Sequence, residues 1–144
     1  MSADRKAMEV ALKANCIPGL RTSGFKGAFP NFYRDRDGFI SLVNFQFFSA
    51  GGSFCVNLGY ADPHRENVSF QPDTEIAKLR VNQTRERVRL GATEGGDRWF
   101  SFGKTNYLEC RGQPRSVNEL SLTCSELLAS EAETWWRTKR ISKV

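Results

Sequence analysis

The sequence predicts an α+β fold: an antiparallel β-sheet, made of a three-stranded meander with one or two further strands, packed against an N-terminal and a C-terminal helix. Two hairpin turns divide residues 29–59 into strands, and apolar residues recur at helical spacing near both ends of the chain. The 144 residues are enough for one hydrophobic core, so we expect a single domain over residues 1–144.

Both terminal helices are predicted from the spacing of apolar residues. In the N-terminal segment these residues recur every four positions: Met8, Leu12, Cys16 and Leu20. Pro18 lies inside this pattern and is expected to kink the helix or to split it into two pieces. Near the other end, Ser116 and Glu119 have the spacing of a capping box. The apolar positions that follow keep helical spacing: Val117, Leu120, Cys124, Leu127, Leu128, Ala132 and Trp135.

The meander is predicted from its two turns. Asp37-Gly38 is a favoured two-residue hairpin turn, and the second turn lies within residues 49–52. Closing the first turn sets the pairs Arg36 with Phe39, Arg34 with Ser41, Phe32 with Val43, and Asn31 with Asn44. Closing the second turn sets the pairs Phe48 with Ser53, Gln46 with Cys55, Asn44 with Asn57, and Val43 with Leu58.

This register sorts the side chains of the meander onto two faces, because successive residues of a strand point to opposite sides. One face is apolar and should pack against the helices: Phe32, Val43, Phe45, Phe47, Phe54, Val56 and Leu58. The opposite face is more polar: Asn31, Tyr33, Leu42, Asn44, Gln46, Cys55, Asn57 and Gly59. The register was derived from the turns alone. That it places apolar and polar side chains on different faces of the sheet therefore supports it independently.

Signals are weaker in the rest of the chain. Turn residues at Asp62-Pro63 and at 71–73 indicate a long loop after the meander, with a short helix near residues 74–79. A further strand is predicted over residues 84–90. Residues 97–102 are expected to form a short strand or a packed loop.

Composition is typical of a globular cytoplasmic protein. Hydrophobic residues make up 40% and charged residues 26% of the sequence. No run reaches the roughly 20 apolar residues that span a bilayer, and the first ten residues lack the apolar stretch of a signal peptide, so we expect no membrane contact. The scattered cysteines are expected to be reduced thiols: Cys16, Cys55, Cys110 and Cys124. We expect no metal and no cofactor, because paired zinc ligands and the common nucleotide-binding and catalytic motifs are missing from the sequence.

An amide-rich patch on the polar sheet face is the first candidate for function. Asparagine is disfavoured within strands, yet Asn31, Asn44 and Asn57 should lie on adjacent strands, where their amides can present a fixed pattern of donors and acceptors. We predict a non-enzymatic binding domain; a protein is the favoured partner, and a homodimer through an exposed sheet edge is the other possibility. The structural alternative is a solvated face, or amides that satisfy loop backbone groups. The binding residues that we assign are Asn31, Tyr33, Arg34, Asn44, Gln46 and Asn57.

Three arginines provide an alternative hypothesis. Arg85, Arg87 and Arg89 alternate along the chain, so on a strand they would line one face and hold a phosphate or a carboxylate. That arrangement would indicate an enzyme or a nucleotide- or phosphate-binding domain, whereas a solvated charge run is its structural alternative. The formal net charge of +5 is also compatible with weak nucleic-acid binding.

Several short strings resemble a known family when they are taken in order: GFKG at 24–27, FYR at 32–34, VNFQ at 43–46, FCVNLG at 54–59, RLG at 89–91 and DRWF at 97–100. Together they resemble the bacterial domain of unknown function family 4304 over roughly residues 5–102. The resemblance implies a bacterial cytosolic protein with an α+β fold, and it brings no catalytic residues.

Overall fold

The computed structural model describes residues 3–49, 51–91, 99–103 and 114–142, and within them it confirms the predicted α+β class. The helices are α1 (Ala3–Asn15), α2 (Ile17–Thr22), α3 (Val117–Leu127) and α4 (Glu133–Ser142). The strands are β1 (Lys26–Ala28), β2 (Asn31–Arg36), β3 (Phe39–Phe47), β4 (Ser53–Ala61), β5 (Val88–Arg89) and β6 (Phe100–Ser101). Ile76–Lys78 and Val81–Gln83 are 3₁₀ turns, and Leu128–Ala132 is a π-helical turn between α3 and α4.

The sheet follows the chain in its order, and each of β1 to β5 is antiparallel to the next. β5 pairs with Asn57 and Leu58 of β4, while β6 pairs with Ser53 and Phe54 at the other end of the same strand. The predicted register of the meander is confirmed along both hairpins. At the second turn, the Phe48 amide donates to the Ser53 carbonyl at 2.9 Å.

Strand β1 was not predicted from the sequence. It forms a hairpin with β2 through the two residues Phe29-Pro30, so that Ala28 lies opposite Asn31. Gly27 has a φ of +109°, and a Cβ atom at that position would lie 2.6 Å from the Asn31 carbonyl oxygen. A glycine is therefore required here by both the backbone conformation and the close approach of β2.

The helices cover the predicted apolar face of the sheet. The division between α1 and α2 at Cys16 is the predicted effect of Pro18. Six of the seven residues predicted for this face are buried in the resulting core: Phe32, Val43, Phe45, Phe54, Val56 and Leu58. Helix residues complete it, among them Met8, Leu12, Leu20, Leu120, Cys124 and Trp136. In the described residues, no helix combines the length and the apolar character needed to cross a membrane.

Two details of the C-terminal helix differ from the prediction. Ser116 caps α3 by accepting a hydrogen bond from the Glu119 amide at 3.1 Å, but the Glu119 carboxylate accepts from Arg115 Nε, also at 3.1 Å, so the cap is one-sided. The buried tryptophan is Trp136 rather than Trp135, which is half-buried. A π-helical turn holds more residues than an α-helical turn. The turn Leu128–Ala132 therefore shifts the buried position of the following helix along the sequence, from residue 135 to residue 136.

The long segment predicted as a loop after the meander packs on part of the opposite face. Residues 62–84, here called the covering segment, hold both 3₁₀ turns and contribute to a second apolar cluster: Ile40, Leu42, Ala61, Val68, Leu79 and Val81. Its first turn is closed by two reciprocal bonds, from the Asn67 amide to Asp62 Oδ1 at 2.9 Å and from the Asp62 amide to Asn67 Oδ1 at 2.8 Å. Tyr33 packs against the cluster from β2.

The strand predicted over residues 84–90 is shorter than expected. Only Val88–Arg89 joins the sheet. Thr84 instead forms an isolated bridge with Val68, and the Arg85 amide donates to the Asn67 carbonyl at 2.7 Å. The backbone of residues 84–85 is therefore paired with residues 67–68 and does not extend β5 along β4. In the predicted 97–102 element, Phe100–Ser101 forms β6, while residues 97 and 98 lie outside the described residues.

Candidate binding surface

Three asparagines form a row across the middle of the sheet. Asn31, Asn44 and Asn57 lie directly opposite one another on β2, β3 and β4, and Arg89 continues the line on β5. Asn57 Nδ2 donates to Asn44 Oδ1 at 3.0 Å, and Asn44 Nδ2 donates to Asn31 Oδ1 at 2.9 Å. Gln46 accepts a further hydrogen bond from Asn57 Nδ2 at 2.9 Å. These five side chains are called the amide row: Asn31, Asn44, Gln46, Asn57 and Arg89.

Arg89 sets the direction in which the amide row donates. A guanidinium group only donates hydrogen bonds, and Arg89 Nε lies 3.4 Å from Asn57 Oδ1. Because Asn57 turns its oxygen to Arg89, its Nδ2 group faces Asn44 and Gln46. Asn44 must then turn its own Nδ2 group to Asn31. The hydrogen bonds therefore run in one direction, from β5 to β2.

This direction leaves amide donors at the ends of the row. Asn31 and Gln46 use their oxygens as acceptors, and in the described part of the chain neither Asn31 Nδ2 nor Gln46 Nε2 has an acceptor. Gln46 is exposed and the three asparagines are half-buried, so solvent reaches the row. The surface presents N–H groups to whatever approaches it.

A buried thiol lies beside the row on the same face of the sheet. Cys55 is inaccessible to solvent, and its Sγ lies 3.7 Å from Gln46 Oε1 and 3.8 Å from Asn57 Oδ1. Thiols are weak hydrogen-bond donors. Cys55 therefore helps to fix two amides without contributing to the exposed surface.

Aromatic residues border the row beyond Arg89. The Arg89 guanidinium lies 5.1 Å from the ring centre of Trp99, and Trp99 contacts Phe48 edge-to-face with their ring centres 5.6 Å apart. Trp99 and Phe48 are both half-buried. Trp99 was missed as a candidate because the sequence alone gives no register for the segment around it. The only available signal was an aromatic residue within the segment 97–102, which was predicted as a short strand or a packed loop.

Two of the predicted binding residues lie elsewhere. Tyr33 shares the face of the amide row but packs with the covering segment. Arg34 lies on the helix-covered face and is only 4% exposed. Its two terminal nitrogens each lie 2.7 Å from a carboxylate oxygen of Glu133 on α4, and its guanidinium stands 4.4 Å from the ring centre of Phe25. Arg34 therefore joins the sheet to the C-terminal helix and does not contribute to the amide row.

The structure does not gather the three alternating arginines on one strand. Arg89 belongs to β5 and contacts Asn57, whereas Arg85 precedes the strand and donates Nε to the Glu66 carbonyl at 3.2 Å. Arg87 is exposed and also precedes β5. Only Arg89 is placed beside the predicted amide patch.

The amide row offers hydrogen-bonding groups. Its groups are neutral amides and one guanidinium, which donate and accept hydrogen bonds but do not transfer protons near neutral pH. Among the described residues, no group of three or more histidine, cysteine, aspartate or glutamate side chains is placed to hold a metal ion. The single histidine, His64, is exposed at the start of the covering segment, away from the row.

Comparison with known proteins gives one match. A family model described as a domain of unknown function, DUF4304, matches residues 17–113, a range that contains α2, the whole sheet, the covering segment and the amide row. No curated protein and no solved structure matches the chain significantly. The family match covers more than half of the 144 residues. The chain therefore belongs to the DUF4304 family.

Proposed function

We propose that this chain is a non-enzymatic binding domain that recognises a protein partner through the amide row and its aromatic border. The observation that carries the proposal is the directed chain of hydrogen bonds from Arg89 to Asn31, at a place on the sheet where Gln46 is exposed and the asparagines are half-buried. The internal bonds hold the amides in fixed orientations before any partner arrives. A preorganised surface loses less side-chain entropy when it binds.

The orientation of the amides indicates the chemistry of the partner. Asn31 and Gln46 offer N–H groups, and Arg89 adds a positive charge at the other end of the row. Such a surface complements carbonyl and carboxylate oxygens. A polypeptide segment in an extended conformation, with an acidic residue near Arg89, supplies both.

The dimensions of the row fit a short segment of chain. The row crosses four neighbouring strands, which are about 4.8 Å apart, so it is roughly 14 Å long. An extended peptide covers this length with about four residues. Trp99 and Phe48 would lie beside one end of that segment and offer apolar contact, in keeping with the frequent use of aromatic residues at interfaces.

The test uses an acidic double variant that removes the outward donors, with a control that matches its added charge. In Asn31→Asp with Gln46→Glu, each carboxylate still accepts the internal bond from Asn44 or Asn57, while the free N–H groups are lost. The matched control, Gln71→Glu with Asn82→Asp, adds the same two charges at exposed positions of the covering segment. Circular dichroism and thermal unfolding establish that both variants are folded.

Each protein is immobilised and used to capture partners from a lysate of the source cells, with quantitative mass spectrometry as the readout. The proposal expects one protein that wild type and control retain and that the acidic variant loses, followed by measurement of its affinity with purified components. A homodimer would be detected as self-association of the wild type by sedimentation. Equal capture by all three proteins would reject the amide row as the binding surface.

Nucleic acid is tested in the same capture experiment. Contacts to phosphates weaken steeply as salt concentration rises, whereas neutral amide contacts are less sensitive. Captured nucleic acid that is lost at moderate salt, without any specific protein, would contradict the proposal and favour the weak nucleic-acid alternative.

A further inference from the structure

A basic pocket lies on the helix-covered side of the sheet, between β2, β3 and α4. Its volume is about 280 Å³. Six polar side chains contribute to its walls and are together called the arginine pocket: Arg34, Arg36, Ser41, Glu133, Arg137 and Arg140. Four arginines against one glutamate give these walls a net charge of +3.

Local structure explains why these charges converge. Arg34 and Arg36 are two residues apart on β2 and point to the same face of the sheet. On α4, Glu133, Arg137 and Arg140 follow one another at spacings of four and three residues, which places them on one face of the helix. Two independent elements therefore direct arginines into one space.

The arginines of the pocket differ in whether they have an ion-pair or hydrogen-bond partner within the protein. Arg34 is paired with Glu133 through two contacts of 2.7 Å, and Arg36 donates to the Ser23 carbonyl at 3.3 Å. Among the described residues, Arg137 and Arg140 form no ion pair, and the buried Nε of Arg34 has no hydrogen-bond partner. Within the part of the chain that the structure describes, the pocket thus keeps three positive charges without an ion-pair partner, those of Arg36, Arg137 and Arg140.

Stabilisation of the helix end does not account for this arrangement. Basic residues in the last turn favour the negative end of a helix dipole, which explains Arg140 on its own. It does not explain Arg36, which approaches from the sheet. A bound anion would pair with arginines from both elements.

We propose that the arginine pocket binds a small molecule that carries a phosphate group. Guanidinium groups match the oxygens of phosphate in geometry, and a doubly charged phosphate complements three uncompensated arginines better than one carboxylate does. The volume lies just below the usual range for small-molecule sites, about 300–1,000 Å³. It therefore suits a phosphate with a compact organic group and excludes a dinucleotide. Ser41, beside Arg34 on the neighbouring strand, adds a hydroxyl group to the same wall.

The test measures thermal stabilisation at constant ionic strength by inorganic phosphate, a sugar phosphate and a nucleoside monophosphate. Each phosphorylated molecule is compared with its unphosphorylated form, and succinate serves as a carboxylate control. The pocket variant is Arg137→Gln with Arg140→Gln. The matched control is Arg85→Gln with Arg87→Gln, which removes the same charge from exposed positions outside the pocket.

We expect at least one phosphorylated probe to raise Tm in the wild type and the control, because a ligand that binds only the folded state stabilises it. The pocket variant should bind that probe about tenfold more weakly for each arginine removed. An unchanged Tm with every phosphorylated probe at about 10 mM, where even a Kd near 1 mM would be saturated, overturns the proposal. Equal losses in both double variants also overturn it, since they indicate a general effect of charge, and an equal response to succinate overturns the assignment to phosphate.

The result is independent of the amide row. Arg34 and the amides lie on opposite faces of the sheet, so the acidic variant Asn31→Asp with Gln46→Glu should keep any stabilisation by phosphate. A loss confined to that variant would place the anion on the other face and reject the arginine pocket.

Discussion

The indole Nε1 of Trp136 donates a hydrogen bond of 2.9 Å to the carbonyl oxygen of Gly59, which ties α4 to β4 from the helix-covered side. From the opposite side, the covering segment closes on the α-carbon of the same glycine. A Cβ atom at position 59 would lie 2.7 Å from Thr84 Oγ1 and 3.2 Å from Val81 Cγ1. Gly59 is therefore the point where all three layers of the fold meet.

Gly59→Ala is expected to destabilise the fold by about 1–3 kcal/mol, because the added methyl group overpacks the contact with Thr84 and Val81. The measurement is the free energy of unfolding from urea titration. Gly19→Ala is the matched control, since a Cβ atom there would meet only Ser125 Oγ at an ordinary 3.5 Å. That substitution should be neutral or should stabilise α2 by up to about 1 kcal/mol. Equal effects of the two substitutions would contradict the close packing at Gly59.

Arg34→Lys is expected to lower the free energy of unfolding by about 2–3 kcal/mol. A lysine cannot make both contacts with the Glu133 carboxylate, and Arg34 is buried, so the loss resembles breaking a buried ion pair. Arg115→Lys is the control, because its pair with Glu119 is exposed and such pairs contribute little. We expect the control to change stability by less than about 0.5 kcal/mol in urea unfolding. A small effect at both positions would show that the bidentate ion pair between Arg34 and Glu133 contributes little to stability.

The amide row shows how far the sequence determines a site. The turns at Asp37-Gly38 and 49–52 set the register, and the register alone brings Asn31, Asn44 and Asn57 into line. Strands that follow one another in the sequence pair through short turns. Turn residues and the alternation of side chains are therefore sufficient to predict their register. The direction of the hydrogen bonds was not predictable, because it depends on Arg89, whose strand joins the sheet about thirty residues later.

Contacts between distant segments account for the other differences. Alternation places Arg34 on the face of Phe32, but its partner Glu133 is separated from it by 99 residues, and nothing in the sequence links the two. The covering segment likewise contains few periodic apolar residues, and it is held by bonds such as the Asp62–Asn67 pair. Secondary-structure patterns carry no information about such pairings.

Cys16 is expected to resist alkylation in the folded protein. Burial raises the pKa of the Cys16 thiol to about 12, so at pH 8 only roughly one molecule in ten thousand carries the reactive thiolate. Treatment with iodoacetamide at pH 8, followed by peptide mass spectrometry, should find Cys16 unmodified without urea and fully modified in urea. Modification of the native protein at the rate of a free cysteine would show that the junction between α1 and α2 opens readily.

Asp62 is expected to make stability depend on pH in the acid range. Burial alone would raise the pKa of its carboxyl group, but backbone N–H groups of Asn67, Glu66, Asp62 and His64 outweigh burial and hold the pKa below the ordinary 3.8. Because the folded-state pKa is the lower one, the ionised carboxylate contributes stability that is fully present above pH 3.8. That contribution is lost as the pH falls through the folded-state value.

Asp62→Asn should therefore be less stable than the wild type at pH 7, by about 1–2 kcal/mol for the weakened hydrogen bonds, and should lose less stability on acidification. Urea unfolding between pH 7 and pH 3 measures both effects, and the two stability curves should converge as the pH falls. Asp73→Asn, at an exposed position of the covering segment, is the control and should follow the wild-type curve. If the curves of the wild type and Asp62→Asn stayed parallel at all pH values, the backbone bonds to Asp62 would not be the source of the dependence. Convergence would instead establish that the turn over residues 62–67 anchors the covering segment through an ionised carboxylate.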